Sequence, residues 1–340
     1  MNSSDKEFYK NRVEKNPTLL NLYRDILKDL EKVEEMLRFF SRSPNKLISE
    51  VSAYLFQENG KRIRPALVIL CSKLLGYKGK EHILMASLVE TIHTASLIHD
   101  DIIDNSEIRR GRPTIHAKWG PNITVLLGDY LYIKALGLSL RSRYQRIGET
   151  LTDISAKMID GELEEYYNSG NLELGEKEYL DIIKNKTASL FSASCQIGGI
   201  IANASEKEEN FLAEYGANLG MSFQIVDDLL DFTGDKKVLG KPILSDLSEG
   251  RITLPLIYTL SNDGQENRRR IVEILKRKKL EKDSLKEILK IVKSNGALEY
   301  TYKKAEEFSF KSKEIISQFP ESAHRDSLNL LSEFILTRKR

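Results

Sequence analysis

Apolar residues recur every three or four positions through most of the chain, as in Leu84, Leu88, Val89 and Ile92, and again in Leu212, Tyr215, Leu219, Phe223 and Val226. That spacing puts each set on one face of a helix. Alternating apolar and polar residues bounded by turn residues, the mark of a strand, are hard to find anywhere. The eight prolines act as punctuation: Pro65 follows a basic cluster, Pro113 and Pro121 flank a loop, and Pro242 and Pro255 flank another. None lies between Pro121 and Pro242, which permits a run of long helices. Residues 105–120 and 234–250, rich in Gly and Pro, read as loops. The expected fold is all-α, with a polar extension over 1–18 and a single-domain helical bundle over 19–340.

Composition narrows the function classes. The 340 residues are 41% hydrophobic and 30% charged, with a net charge of +2. That gives no global field for nucleic acid or a membrane. Residues 262–319 hold basic runs such as Arg268-Arg269-Arg270, but interleaved Glu and the apolar stripe Ile271, Leu275, Leu285, Ile288, Leu289 and Val292 read as the outer face of packed helices. No nucleic-acid partner is expected. Cys71 and Cys195 sit in apolar stretches and read as small buried hydrophobes of a reducing compartment. The N-terminus has no signal-peptide core, and no uninterrupted apolar run approaches the roughly 20 residues that span a bilayer. The expected location is cytoplasmic, with peripheral membrane contact open to an apolar product.

Against this background two acidic words stand out, Asp100-Asp101-Ile102-Ile103-Asp104 and Asp227-Asp228-Leu229-Leu230-Asp231, each after an apolar or small-residue approach. The first and last Asp of each word lie four apart and share a helix face, where like charges repel unless a cation compensates them. A solvated acidic face is the commoner explanation of any one such word. The apolar flanks and the repetition favour Mg²⁺, which binds one or two carboxylates and completes its shell with water and substrate phosphates. Two words also suggest two facing halves of one bundle.

Basic residues follow the acid. Arg109-Arg110-Gly111-Arg112 comes just past the first word and suits bidentate phosphate recognition. Gly60-Lys61-Arg62-Ile63-Arg64-Pro65 sets three cations at a helix start marked by Pro65, an anion site. Lys186-Thr187 and Gly240-Lys241-Pro242 are weaker candidates, since exposed Lys is the default state of Lys. His93 lies two turns before Asp100 on nearly the same face, which favours substrate contact over the commoner core histidine. Metal and phosphate sites beside apolar helices imply a substrate with a diphosphate head and a hydrocarbon body. The fitting chemistry is ionisation of an allylic C–O bond, with charge on the departing diphosphate stabilised electrostatically in a dry pocket.

These residues resemble the trans-isoprenyl diphosphate synthase (polyprenyl synthetase) family. In family order the matching motifs are the 60–65 cluster, Asp100 to Asp104, Arg109-Arg110-Gly111, Gly128-Asp129, Gly161-Glu162, Lys186-Thr187, Phe223-Gln224 leading into the second word, Gly240-Lys241-Pro242, Asp246-Leu247 and Thr253-Leu254-Pro255. The resemblance implies an isoprenoid synthase bundle with a deep central cavity, usually a homodimer. It implies that Asp100, Asp101, Asp104, Asp227 and Asp231 hold Mg²⁺, three ions per site with substrate bound, with Asp228 in the same catalytic word. It implies that Arg109, Lys186, Gln224 and Lys241 grip the allylic diphosphate, Lys186 and Lys241 taking part in catalysis, with Thr187 a further substrate-binding candidate. Lys61, Arg64, His93 and Arg110 would hold isopentenyl diphosphate. Two departures stand out: Arg251, a further substrate-binding candidate, follows Gly250 where the family commonly has Lys, and Glu165 stands where a Gln is common.

The leading expectation is therefore a chain-elongating prenyltransferase. A terpene cyclase would lack the isopentenyl diphosphate site of Lys61, Arg64 and Arg110. A non-catalytic subunit of a heteromeric synthase would be expected to lose aspartates, and both words are intact. Ala95 and Ser96, about one 5.4 Å turn before Asp100, leave a passage where aromatic residues would stop growth early. Alternatively they are simply small helix-packing residues. Ile92 lies a turn beyond, and Leu151, Ile154 and Met158 on a neighbouring helix are floor candidates. The expected product is long, about six to ten isoprene units by family analogy. A short-chain farnesyl or geranylgeranyl synthase is the alternative.

Overall fold

The computed structural model describes residues 17–56, 60–234, 243–262, 264–276 and 281–338. These residues are almost wholly helical, as the spacing requires. They form two compact units, each discontinuous in sequence. The first comprises the described residues up to Ala156 with Leu190–Gly216 and Lys313–Leu331; the second comprises Lys157–Ser189, Ala217–Ser312 and the described residues from Ser332 on.

In the first unit the central element is the helix Glu81–Ile103, packed against Leu27–Phe40, Ile63–Leu74 and Ile115–Leu140. Its residues Met85, Leu88, Val89, Ile92, Ala95 and Ile98 are buried, so the helix that carries the first acidic word is held as an interior strut. Gly128, on the facing helix, makes the crossing close. A Cβ there would stand 2.1 Å from His99 Nε2, and the ring instead reaches Val125 O at 3.2 Å and Asp129 at 3.5 Å.

Three boundaries differ from the sequence reading, each for a local reason. The helix expected from Pro65 begins at Ile63, because proline is tolerated anywhere in a first turn, where N–H groups have no helical acceptor. The loop expected over 105–120 ends early: Thr114 Oγ1 accepts from Ala117 N and caps a helix starting at Ile115. Gly120, at φ 81°, and Pro121 then kink that helix rather than precede it. The same loop contains the only ladder among the described residues, Ile108–Arg109 paired antiparallel with Arg112–Pro113. Part of the other expected loop is helical, a single turn over Ser245–Ser248; residues 235–242 lie outside the described residues.

The second unit holds the C-terminal part of the helix Glu206–Thr233 with Glu176–Ile183, Leu254–Asn262, Gln265–Leu275, Lys282–Ser294 and most of Ala297–Ile316. Ile271, Ile288 and Val292 are buried. Arg268 pairs with Glu173 and Arg270 with Glu287, so this part of the basic run lies on the outer face of packed helices, as its pattern indicated. Cys71 and Cys195, in the first unit, are free thiols and buried.

Candidate active site

In the first unit the acidic word closes the helix Glu81–Ile103. Asp104 is the C-cap, its N–H donating to Asp100 O at 2.8 Å, and both side chains are half-buried. Asp101 is turned inward and accepts a 2.6 Å bond from Arg109 Nε. A helix C-terminus carries negative partial charge, which adds to the three carboxylates and favours a cation. Just past it the ladder presents Arg109, and Arg110 occupies the turn.

Arg64 and His93 form the basic half of the same site. Arg64 stacks 4.5 Å over the Phe191 ring and places Nη1 3.1 Å from His93 Nε2. A guanidinium can only donate, so Nε2 accepts and neutral His93 carries its proton on Nδ1. Burial, then Arg64, Arg110, Arg109 and Arg62, hold the imidazole well below its ordinary pKa. At neutral pH His93 therefore acts as an uncharged acceptor that orients Arg64. Lys61 is half-exposed, and its carbonyl accepts from Tyr23 OH. Gly60 leaves room for Arg110, whose guanidinium nitrogens lie 3.3 and 3.5 Å from where a Cβ would stand.

Arg62 does not belong to this anion site. Its guanidinium is buried between Glu34, at 2.5 and 3.1 Å, and Glu90, at 2.5 Å. Of the three cations in the 60–65 cluster, Arg62 alone is buried between two carboxylates.

In the second unit the acidic word splits three ways. Asp227 is half-buried and accepts from Arg338 at 2.6 Å, while that guanidinium stacks 3.7 Å over Phe223 and also donates to its carbonyl. Asp228 is buried, taking Tyr179 OH at 2.6 Å and Gln224 Nε2 at 2.8 Å. Burial, with Asp246 nearby, raises its pKa well above the carboxylate range. Asp231 accepts from Ser245 N and Oγ and from Asp246 N. Burial and then Asp246 push its pKa up to about 6.

The diphosphate-gripping candidates of this unit are also engaged. Lys186 lies in a π-helical turn, Lys184–Ala188, which inserts a residue and swings the side chain towards the helix Gln145–Tyr167. There it bonds Glu162 at 2.6 Å and Glu165. Gly161 permits the approach, since a Cβ would lie 2.4 Å from Lys186 N. Thr187 Oγ1 donates to Gln224 Oε1 at 2.9 Å, so Gln224 links Thr187 to Asp228. Arg251 bonds Asp246 at 2.7 Å and Glu249. Lys241 lies outside the described residues.

The carboxylates fit a hard divalent ion. Among the described residues no group of three or more His, Cys, Asp and Glu is gathered to hold a metal ion by itself; Mg²⁺ ordinarily binds one or two carboxylates and completes its shell with water and substrate phosphate. Of the chain-length candidates, Ile92, Ala95, Leu151, Ile154 and Met158 are buried and Ser96 is half-buried, its Oγ donating to His93 O at 2.9 Å. Sequence reasoning missed Arg338 and Tyr179: their partners lie 111 and 49 residues away, and no local pattern marks them.

Residues 45–292 match the model of the polyprenyl synthetase family. The chain is 37% identical over 314 residues to a geranylgeranyl diphosphate synthase of Saccharolobus solfataricus, covering 89% of this chain and 94% of that one. It is 34% identical over 310 residues to an octaprenyl diphosphate synthase of Haemophilus influenzae, covering 91% and 94%. The crystal structure of a polyprenyl synthase from Caulobacter crescentus, complexed with calcium and isoprenyl diphosphate, superposes with a TM-score of 0.91 at 31% identity over 95% of this chain and 98% of that one.

Proposed function

The chain belongs to the polyprenyl synthetase family and is a prenyltransferase acting on isoprenyl diphosphates, and we propose that it adds isopentenyl diphosphate head to tail to an allylic diphosphate to build a long-chain all-trans product. The observation that carries this reading is the first acidic word with Arg109 on Asp101 and the Arg64–His93 pair in the same unit: metal ligands and two sets of phosphate binders on one helix and its neighbours.

In this reading Asp100, Asp101, Asp104, Asp227 and Asp231 hold Mg²⁺, which when bound neutralises charge on the departing diphosphate. Arg109, Lys186, Thr187, Gln224, Lys241 and Arg251 orient the allylic diphosphate. Lys61, Arg64 and Arg110 hold isopentenyl diphosphate, with His93 fixing Arg64. Asp101, Asp227 and Lys186 each share or release a protein partner when ligand binds, because all three are ion-paired. We infer a homodimer through the helix Ile115–Leu140, where Leu126, Ile133 and Leu140 are exposed at seven-residue intervals, an apolar stripe that a second copy would cover. Incubation with labelled isopentenyl diphosphate, farnesyl diphosphate and Mg²⁺, then chromatography of the products, tests the function and measures chain length. A cyclised terpene, or no product, would overturn it.

Two further outcomes are expected. Lys61→Ala should raise KM for isopentenyl diphosphate by about tenfold, the value of one charge-assisted hydrogen bond, and KM for the allylic partner by much less. Equal rises would merge the two sites. Ser96→Phe should shorten the product towards farnesyl or geranylgeranyl diphosphate with turnover retained. Ala95→Phe is the poorer probe, since Ala95 is fully buried and overpacking would cost about 1–3 kcal/mol. An unchanged product ladder in Ser96→Phe would remove this turn from the chain's path.

A further inference from the structure

The ladder that carries Arg109 and Arg110 is too small to hold itself in place. It has two residues in each strand, Ile108 opposite Pro113 and Arg109 opposite Arg112, and isolated hairpins of this kind are marginal in water. Its turn is Arg110-Gly111, with φ of 51° and 79°. Both values are positive, as a two-residue hairpin twisted like its strands requires. Arginine rarely takes that conformation, so the surroundings must impose it on a ligand-facing residue. The pairing adds a second difficulty. Arg109 and Arg112 are directly opposed, and like charges so placed repel.

The structure resolves the repulsion by giving each arginine a different partner. Arg109 goes to Asp101 at 2.6 Å. The Arg112 guanidinium lies 4.5 Å over the ring of Tyr54, on the helix Lys46–Leu55. The Tyr54 hydroxyl donates to Pro113 O at 2.9 Å, so one side chain fixes both residues of the returning strand. Lys118 Nζ lies 4.3 Å from the same ring, and Trp119 meets it edge-on at 5.0 Å. Aromatic faces attract cations, and the hydroxyl bond adds direction.

We propose that Tyr54 is the positioning residue of the 108–113 hairpin, holding Arg112 so that Arg109 and Arg110 are aimed at diphosphate. The proposal rests on the phosphate-binding reading of Arg109 and Arg110 given above. Tyr54 touches no substrate; it acts through Arg112 and Pro113.

The test uses an internal reporter. Trp119 is the only tryptophan in the chain and packs against Tyr54. Inorganic diphosphate titrated into the full-length protein with Mg²⁺ should change Trp119 emission saturably. Tyr54→Leu, which keeps apolar bulk but removes the ring and hydroxyl, should raise the midpoint about five- to tenfold. It should raise KM for both diphosphates similarly, with kcat within about twofold. Tyr54→Phe, which keeps the ring, should shift the midpoint by less than about threefold. Arg109→Ala serves as the reference. If Arg109→Ala weakens diphosphate binding and Tyr54→Leu, folded by circular dichroism, leaves the midpoint at the wild-type value, the clamp is wrong and the binding site stands. If neither variant moves the midpoint, both are overturned. A Tyr54→Leu variant that lowers Tm but not diphosphate affinity likewise reduces Tyr54 to a packing residue.

Discussion

Replacement of Asp100 or Asp227 by alanine should lower kcat by about 10²–10³-fold at saturating Mg²⁺ and substrates, the usual cost of removing one group that stabilises developing charge. The loss should fall on kcat rather than on KM. In the proposed reading these carboxylates would hold an ion that neutralises charge developing on the departing diphosphate, so their contribution would be greatest at the transition state. The two words offer an internal control. Asp228 is buried under Tyr179 and Gln224 and faces the interior. Asp228→Ala should therefore lower Tm, because the Tyr179 hydroxyl and the Gln224 amide lose their acceptor in a buried setting. Steady-state kinetics over a Mg²⁺ series, with a thermal melt of each variant, separates the two effects. Asp100→Ala or Asp227→Ala retaining most of kcat would sink the metal assignment.

Part of this site was legible in the sequence because it is built from local periodicity. The four-residue spacing of Asp100 and Asp104, and of Asp227 and Asp231, fixes a common helix face whatever the tertiary contacts. The same arithmetic could have separated Asp228: it lies one residue, about 100° of helix, from Asp227 and four from Gln224, whose amide it accepts. Gly128 and Gly161 were legible as motif positions but not as reasons. Only the fold shows that one admits the His99 ring and the other the Lys186 backbone. The start of the helix at Ile115 was hidden by Gly120 and Pro121, which imitate a loop although Thr114 supplies the cap. Glu165 looked out of place beside a diphosphate grip, and the structure gives it a partner in Lys186. What stayed hidden depends on long-range pairing: Arg338 with Asp227, Tyr54 with Arg112, and Arg62.

Arg62→Ala should destabilise the protein by about 3–5 kcal/mol, the cost of breaking a buried charge network by removing one member. Nothing in Lys61-Arg62-Ile63-Arg64 distinguishes the middle cation, yet of the three it alone is buried. It sits at φ 53° just before the helix Ile63–Leu74, and that left-handed step carries the side chain between two elements. Glu34 on the helix Leu27–Phe40 and Glu90 on the helix Glu81–Ile103 each lie 28 residues away, and both are buried. Together the two carboxylates raise the guanidinium pKa against the opposing effect of burial. Without it they would face each other across an interior gap, and one would have to take up a proton or draw in water. The network also holds the N-terminus of the helix bearing Arg64 against the strut bearing His93 and the first acidic word. Misfolding here should therefore cost activity without any contact to substrate. Urea unfolding at neutral pH measures the effect. The triple variant Glu34→Gln, Arg62→Met, Glu90→Gln removes every charge at once and should recover much of the lost stability. If Arg62→Ala unfolds within about 1 kcal/mol of the wild type, the carboxylates are better solvated than their burial indicates, and Arg62 is not the keystone of this unit.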